Sequence, residues 1–574
     1  MTAQYHPDHH ELHNGGDLEA MDVKKAKSNP ASIRGLETSP ETSLKKGLQA
    51  RHVNMIAIGG AIGTGLIIGT GKALAQAGPG SLLISYTFVG GIVFLVMAAM
   101  GEMTAWLPLS AGFTGYASRY CHPSLGFALG WTYLFKYLIM TPNQLTAAAL
   151  VLQFWVPREK VNPGVFIVVF LIVILFINFW RIGVFGEVEF WLSTFKVLVI
   201  VGIMIFALVL IVGGGPDHEV RGFRYWSNPG AFKEYIASGA WGKALGFWST
   251  MINATFAYQG TELVGVTVAE AQNPRKTIPK AIKMTFYRIL LFYCISVFLL
   301  GMLVPYDSPE LSFAVKQKAS ASASPFVAAA TVAGVQVMPH IINGCICLTI
   351  LSAANTDLYI ASRTLYGLAS DGKAPAIFKR TNNGGTPIYA LAVAAVFALL
   401  AFMNVSDDST KIFGYFVNIT TIFGLLTWIS ILVTHIFWCR ARKAQSLDSA
   451  TLPYAAPFGI WGSYCALVVC IFIALTKNFD VFTRWDQAPF HVEKYKTFIT
   501  GYIGIPVYLV LIFGHKFVTK SGPVRPEETD FFTGKDIVDN EERLFLEHQA
   551  LRQESTQMAR GWNLVYKRFV AWLF

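Results

Sequence analysis

The chain has 574 residues, of which 53% are hydrophobic and only 14% charged. Soluble globular proteins carry about 25% charged residues, so this composition, with a mean hydropathy of +0.46, places the chain among polytopic helical membrane proteins. The formal charge of +11 suits basic cytosolic loops and calls for no nucleic acid, and the ten-residue alternation of a membrane β-barrel is absent.

Residues 1–50 read as a disordered cytosolic tail. They are polar, with His6, His9, His10 and His13 in no ligand spacing, then Lys24, Lys25 and Lys27, and no cleavable signal peptide. Twelve apolar spans follow, at about 53–73, 81–104, 125–152, 163–180, 188–213, 245–269, 286–305, 333–364, 387–403, 412–437, 457–476 and 499–518. An even number puts both termini on one side. The short loops Asn273–Lys283, Asp371–Arg380 and Cys439–Ala444 are basic, as are the flanks Lys45, Lys46, Arg51, Lys516 and Lys520, which assigns the termini to the cytosol. Residues 519–574 form the second cytosolic tail, with a helical pattern over 540–557 and an end, "GWNLVYKRFVAWLF", suited to a membrane surface. The seven cysteines include no CxxC pair, and Cys345 and Cys347 read as packing residues. Asn404-Val-Ser406 is a glycosylation sequon too near a span end for ready use.

The first span contains "GGAIGTGLIIGTG", Gly59–Gly71, with six glycines. Each costs about 1 kcal/mol against alanine inside a helix. The spacing fails the GxGxxG dinucleotide fingerprint, and no βαβ context surrounds it. Two readings remain: close helix packing through Gly59-xxx-Gly63 and Gly65-xxx-Gly69, or a discontinuous helix whose freed amides and carbonyls hold a polar ligand. The second reading requires an interrupted partner in the other half of the chain. The sixth span supplies one, with Gly260 at its middle beside Gln259, Thr261 and Glu262. Freed amides favour a carboxylate and freed carbonyls an ammonium, so the pair suits a free amino acid.

Ionisable residues at span centres cost about 2.5–3.5 kcal/mol on insertion scales. Lys136, Lys196, Glu262 and Asp357 stand there; Glu102, Glu187 and Glu189 lie nearer span ends and read as structural pairs or solvated groups. Glu262 either binds and releases a transported proton or stays ionised beside a lysine such as Lys196. Lys196 either ties the fifth span to carbonyls freed in the first or carries a proton. Asp357 and Arg363 read as a structural ion pair or gate, with Ser352 and Asn355 lining the path and Thr420 and Thr421 as weaker candidates. His340 and His435 lie far apart without paired acids, which excludes a metal-dependent or nucleophilic enzyme, and the two breaks disfavour a ring-lined channel.

The stretches "GGAIGTGLIIGTG", "GEMTAWLPLSAGFTGYASRY", "FAYQGTELVGVTVAEAQNPRKTIPKAI" and "SAANTDLYIASRTLYGLASDGKAP" resemble the fungal amino acid permeases of the amino acid–polyamine–organocation superfamily, over about residues 45–520. Within that family, "TYLFKYLIMTPNQLTAAALVLQFWVPREKVNPGVF" and "GGGPDHEVRGFRYWSNPGAFKEY" resemble the branch for dicarboxylic amino acids. The resemblance implies an all-α polytopic membrane protein of 12 transmembrane helices. It has a leucine-transporter-like 5+5 inverted repeat (about 53–213 and 245–437) with discontinuous first and sixth helices, and two extra helices at about 457–518. It implies proton-coupled import at the plasma membrane, with no cofactor or metal. Ile62, Gly63, Thr64 and Gly65 would hold the substrate α-carboxylate. Phe256, Tyr258 and Gly260 would help hold the ammonium. Glu262 matches a glutamate linked to proton coupling, and Lys196 a lysine in a sodium-like position. Relatives for neutral or basic substrates usually lack a charge at Lys136, and several carry glutamate at Gln144. The change favours an anionic side chain, with Lys136 as its counter-charge; the alternative is an internal pair of Lys136 with Glu262 or a carbonyl. The resemblance further implies ubiquitin-ligase and arrestin partners at tail lysines such as Lys24, Lys25, Lys45 and Lys46. A transporter-like amino acid receptor and a permease of broader or neutral specificity are the alternatives.

Overall fold

The computed structural model describes Gly59 and residues 63–547, apart from 110, 181, 264–273, 310, 312–323, 383, 407–408, 449–450, 484–491, 537, 541 and 545. The N-terminal tail and Ile62 therefore lie outside the described residues. Among those described, every regular element is helical. In chain order they are α1 (Thr64–Ile67), α2 (Gly69–Trp106), α3 (Gly112–Tyr120), α4 (Pro123–Leu152), α5 (Pro163–Phe179), α6 (Ile182–Ile211), α7 (Gly239–Ser249), α8 (Met251–Ala257) and α9 (Pro274–Arg288). A π-helical stretch, Ile289–Ile295, joins α9 to α10 (Ser296–Leu303); then come α11 (Pro325–Val332), α12 (Met338–Ser370), α13 (Ile388–Ala398), α14 (Met403–Ser406) and α15 (Ser409–Ala444). The last are α16 (Gly459–Thr476), α17 (Asp480–Thr483), α18 (Val492–Tyr502) and α19 (Gly504–Thr519). Eight helices among the described residues are long and apolar enough to cross a membrane.

Local chemistry sets the boundaries. Gly78 has φ +83° and precedes Pro79, which breaks α2; proline lacks the amide that would continue the helix. The freed Ala77 carbonyl accepts from Lys233 N at 2.9 Å, and Gly80 N donates to Ala231 O at 2.7 Å. The expected first and second spans meet at this break. Helices α4, α5 and α11 each begin with proline, and the residue before it caps the helix: His122 Nδ1 accepts from Ser124 N, Asn162 Oδ1 from Gly164 N, and Ser324 Oγ from Phe326 N. The short helix α3 lies in a segment that carries no span pattern.

The polarity is inverted relative to a soluble domain. Along α6 and the residue after it, Trp191, Leu198, Ile205 and Val212 repeat every seven residues and are 66%, 65%, 57% and 70% exposed. This is one helix face turned to surroundings that must be apolar, since exposing it to water would cost about 25 cal/mol per Å². Meanwhile Lys136, Glu189, Lys196, Glu262, Asn355 and His435 are buried. Helix α4 is the axis of the interior and packs on α12, α15, α19, α3 and α5. The Asn404 side chain is buried, which fits disuse of that sequon.

Beyond α19 the chain folds back over one end of the bundle. Val524 N donates to Cys121 O at 3.0 Å. Gln445 Nε2 donates to the carbonyls of Pro526, Glu527 and Thr529. Arg119 donates to Asp530 O and Thr533 O and pairs with the Asp530 carboxylate at 2.8 Å. Trp106 Nε1 donates to Phe531 O. The Phe531 ring is fully buried, stacked on Tyr120 at 5.7 Å and edge-on to Trp438 at 6.1 Å. Arg275, at the start of α9, pairs with Asp539 and Glu542.

Phe531→Ala should cost about 3–5 kcal/mol, read as a lower melting temperature of the detergent-solubilised protein. Phe517→Ala on the outer surface (86% exposed) should leave it within error. The contact should also resist mild acid. Partial burial works against the Asp530 charge, but amide bonds from Thr533 and Phe532 and the Arg119 guanidinium outweigh it and hold the carboxyl at about 2, below its ordinary 3.8. Its contribution is therefore full above about 3.8 and is lost as the pH falls through about 2. Protease protection of the tail should be the same at neutral pH and at pH ~5.

Candidate functional site

The two interrupted helices meet at the centre. Gly63 is extended (φ −135°, ψ −167°) and opens α1; Ile68 then separates α1 from α2. A Cβ at Gly65 would lie 2.5 Å from Ala257 Cα and 2.8 Å from Ala257 N, so the backbones of the first and sixth spans touch. Gly59 approaches Ser193 of α6 just as closely, while Gly63 and Gly69 face open space. Half of each glycine pair thus serves packing, and the other half serves the break. In the sixth span, α8 ends at Ala257, and Tyr258–Glu262 form turns with Gly260 at φ +94°.

A small cavity lies where these breaks meet α4 and α12. Gly63, Thr64 and Gly65 line it from α1, and Phe256, Ala257 and Gln259 from the sixth span. Met140 and Gln144 line it from α4, and Ala353, Thr356 and Asp357 from α12. Gln144 Nε2 donates to Asp357 Oδ2 at 3.1 Å. Thr64 Oγ1, Gln144 Oε1 and Gln259 Oε1 are buried without a protein partner, and such groups normally have one.

Of the expected site residues, Gly63, Thr64, Gly65, Gln144 and Phe256 line this cavity. Tyr258 does not. Its hydroxyl donates to Tyr86 O at 2.9 Å and its ring stacks on Tyr293 at 4.3 Å, so it props the break from behind. Gly260 shapes the break without lining the cavity. Lys136 lies eight residues from Gln144 along α4, about 12 Å, toward the end capped by the tail. There its Nζ pairs with Glu262 Oε1, both side chains fully buried, and Glu262 Oε2 accepts from Trp428 Nε1 at 3.3 Å. This is the internal pair, and the partner of Glu262 is Lys136 rather than Lys196. Lys196 Nζ reaches Gly59 O and Glu189 Oε1, each at 3.3 Å, which ties α6 to the first span. Glu189 also accepts from Ser193, Ser352 and Asn355.

Three expectations change. Asp357 faces the cavity; among the described residues no ion pair joins it to Arg363, which lies over the Tyr359 ring. Ser352 and Asn355 turn to Glu189 instead of the path. Positions 353, 356 and 357 share one face of α12 and 352 and 355 another, a distinction that i, i+3, i+4 spacing carries. His435 does have a paired acid: Nε2 lies 3.1 Å from Glu102 Oε2, and Nδ1 bonds Ser463. Glu102 also takes Arg442 and Ala456 N, so the group is a structural pair joining α2, α15 and the start of α16. Thr420 and Thr421 bond only carbonyls of their own helix. Ala257 and Gln259 fall in the expected break; Met140, Ala353 and Thr356 went unforeseen, though the spacing of Met140 and Gln144 offered a signal.

Helices interrupted face to face around a polar cavity inside an apolar bundle define a multi-pass membrane transporter. The chain belongs to the amino acid permease family, whose pattern matches residues 52–525. It is 48% identical to the dicarboxylic amino acid permease of Saccharomyces cerevisiae, over 97% of this chain and 92% of that one. It is 44% identical to an uncharacterised amino-acid permease of Schizosaccharomyces pombe (90% and 97%) and 36% identical to the proline-specific permease of Emericella nidulans (95% and 97%). Among solved structures, the manganese transporter of Eremococcus coleocola shares the fold, with a TM-score of 0.50 at 13% identity, over 82% of this chain and 94% of that one. The protein is thus a transporter and not an enzyme.

Breaking one buried pair should be costly. Lys136→Met leaves Glu262 uncompensated, a loss of about 3–5 kcal/mol. The double variant Lys136→Met, Glu262→Gln should recover most of the folded yield in detergent size-exclusion profiles.

Proposed function

We propose that the protein imports acidic amino acids, L-glutamate and L-aspartate, together with protons across the plasma membrane by alternating access. The carrying observation is the contact of the two broken helices at a cavity rich in unpartnered polar atoms. Backbone N–H groups at Gly63–Gly65, with Ile62 before them, hold the α-carboxylate. The carbonyls and side chains of Phe256–Gly260 take the ammonium. In this reading twelve helices form a 5+5 inverted repeat plus two, and both termini are cytosolic, the tails offering lysines to ubiquitin-ligase and arrestin partners. The 48% identity to a permease named for dicarboxylic amino acids supports the acidic substrate. The 36% identity to a proline-specific permease keeps a neutral substrate as the competing reading.

Energetics favours coupling. Glutamate is an anion, and a negative-inside membrane opposes its entry by about 2.3 kcal/mol per 100 mV for each charge. One accompanying proton makes the step electroneutral, and a second lets voltage drive it. Glu262 and Lys196 are each held in a buried pair. In this reading they keep the two breaks in register, and either contributes to proton movement only when its pair opens.

The test is uptake of labelled glutamate, aspartate, leucine and arginine in permease-deficient cells at acidic and neutral external pH. Acid-stimulated uptake of glutamate and aspartate is expected. Preference for leucine or arginine would remove the acidic reading, and surface expression without any uptake would favour a receptor.

A further inference from the structure

We propose that Asp357 is the group that takes up the coupling proton and, once protonated, donates it in a hydrogen bond to the side-chain carboxylate of the substrate. The inference rests on the acidic, proton-coupled reading above and adds the residue that performs the coupling.

The argument begins with the inventory of charges. The charged and titratable groups whose fields reach Asp357 are Tyr133, Lys136 and Tyr137, two to three turns before Gln144 on α4, and Glu189 and Lys196 of α6. Lys136 is neutralised by Glu262, and Lys196 by Glu189. The two pairs sum to zero around Asp357, whose carboxylate is left with the Gln144 amide as its hydrogen-bond donor. It is 6% exposed, on the cavity wall. A buried carboxylate without a counter-charge is unfavourable, and uptake of a proton relieves it.

The inventory of hydrogen-bonding groups leads to the same residue. Gln144 turns its nitrogen to Asp357, because an ionised carboxylate only accepts. Gln144 Oε1 and Gln259 Oε1 are therefore the buried, unpartnered amide atoms at the cavity. Both are acceptors. They suit an ammonium and repel a carboxylate. The cations that would otherwise receive a side-chain carboxylate are committed to their pairs. Beside the Thr64 hydroxyl of α1, a protonated Asp357 supplies a second donor from the opposite, α12 wall.

The step balances simply. A proton from the outer solution forms an O–H bond on the Asp357 carboxylate. That O–H donates to the substrate carboxylate, forming a carboxyl–carboxylate pair with one net negative charge instead of two. After the cavity opens to the other side, substrate and proton leave together and Asp357 is ionised again. The anionic substrate cannot settle without the proton, which couples the two fluxes.

The test uses the full chain in proteoliposomes with labelled glutamate, comparing wild type, Asp357→Asn and Asp357→Glu at equal incorporation. Exchange of internal for external glutamate needs no net proton movement; accumulation under an imposed pH gradient does. Asp357→Asn, which keeps an N–H donor but cannot carry a proton, should lower the ratio of gradient-driven accumulation to exchange at least tenfold relative to wild type, about the effect of 1.4 kcal/mol. Asp357→Glu should restore accumulation. Retained accumulation in Asp357→Asn would overturn the proposal, as would loss of both exchange and accumulation in a correctly folded variant. If wild type itself exchanges leucine and ignores glutamate, the acidic reading fails instead, and the two failures are distinguishable.

Discussion

The fold turns on the approach of two main chains at Gly65 and Ala257, where no Cβ can be accommodated. Inside a bilayer every unpaired backbone group costs several kcal/mol, so helices can be interrupted only where something else meets the freed groups. Here each interruption supports the other. The breaks face one another, and Tyr86 and Tyr293 hydroxyls reach Gly65 O and Ala257 O. At the cavity, Thr64, Gln144 and Gln259 keep unpartnered side-chain oxygens. A polar chamber in an apolar bundle is thus a by-product of bringing two weakened helices together.

Two buried ion pairs bracket that contact. Lys196 with Glu189 fastens the first span to α6 and, through Ser352 and Asn355, to α12. Lys136 with Glu262 fastens α4 to the sixth span on the side of the tail. Buried pairs add little net stability over apolar residues, but each admits one partner geometry. They specify which helices meet and in what register, a property that Leu-on-Leu packing in lipid lacks.

The helical membrane class and both interruptions were legible from hydropathy and from glycine and polar residues out of place. Four cavity residues, Gly63, Thr64, Gly65 and Phe256, lie in those interruptions, and Gln144 came from the family resemblance. The partners of the intramembrane charges were not legible, because pairing depends on helix rotation: Lys136 and Lys196 are each within plausible reach of more than one acid. Asp357 shows the limit most clearly. Its charge was conspicuous, but the choice between Arg363 and the cavity rests on which face of α12 it occupies. Its neighbours Ser352 and Asn355, equally polar, occupy the other face. Tyr258 failed as a binding residue for a related reason: its aromatic ring found a stacking partner, Tyr293, on an element far away in sequence.

The aromatic seat of Phe531 has a practical consequence for handling the protein. The two ends of the tail that follows α19 are not equivalent places to attach anything. A fluorescent protein fused directly after Thr519 would remove the chain that covers Tyr120, Trp106 and Trp438 and leave Arg275 without Asp539 and Glu542. Apolar rings would then face water at the mouth of the bundle, and the fused protein would report on an adhesive, loosened carrier. A fusion placed after Phe574 keeps the whole clamp, Asp530 to Glu542, in the chain.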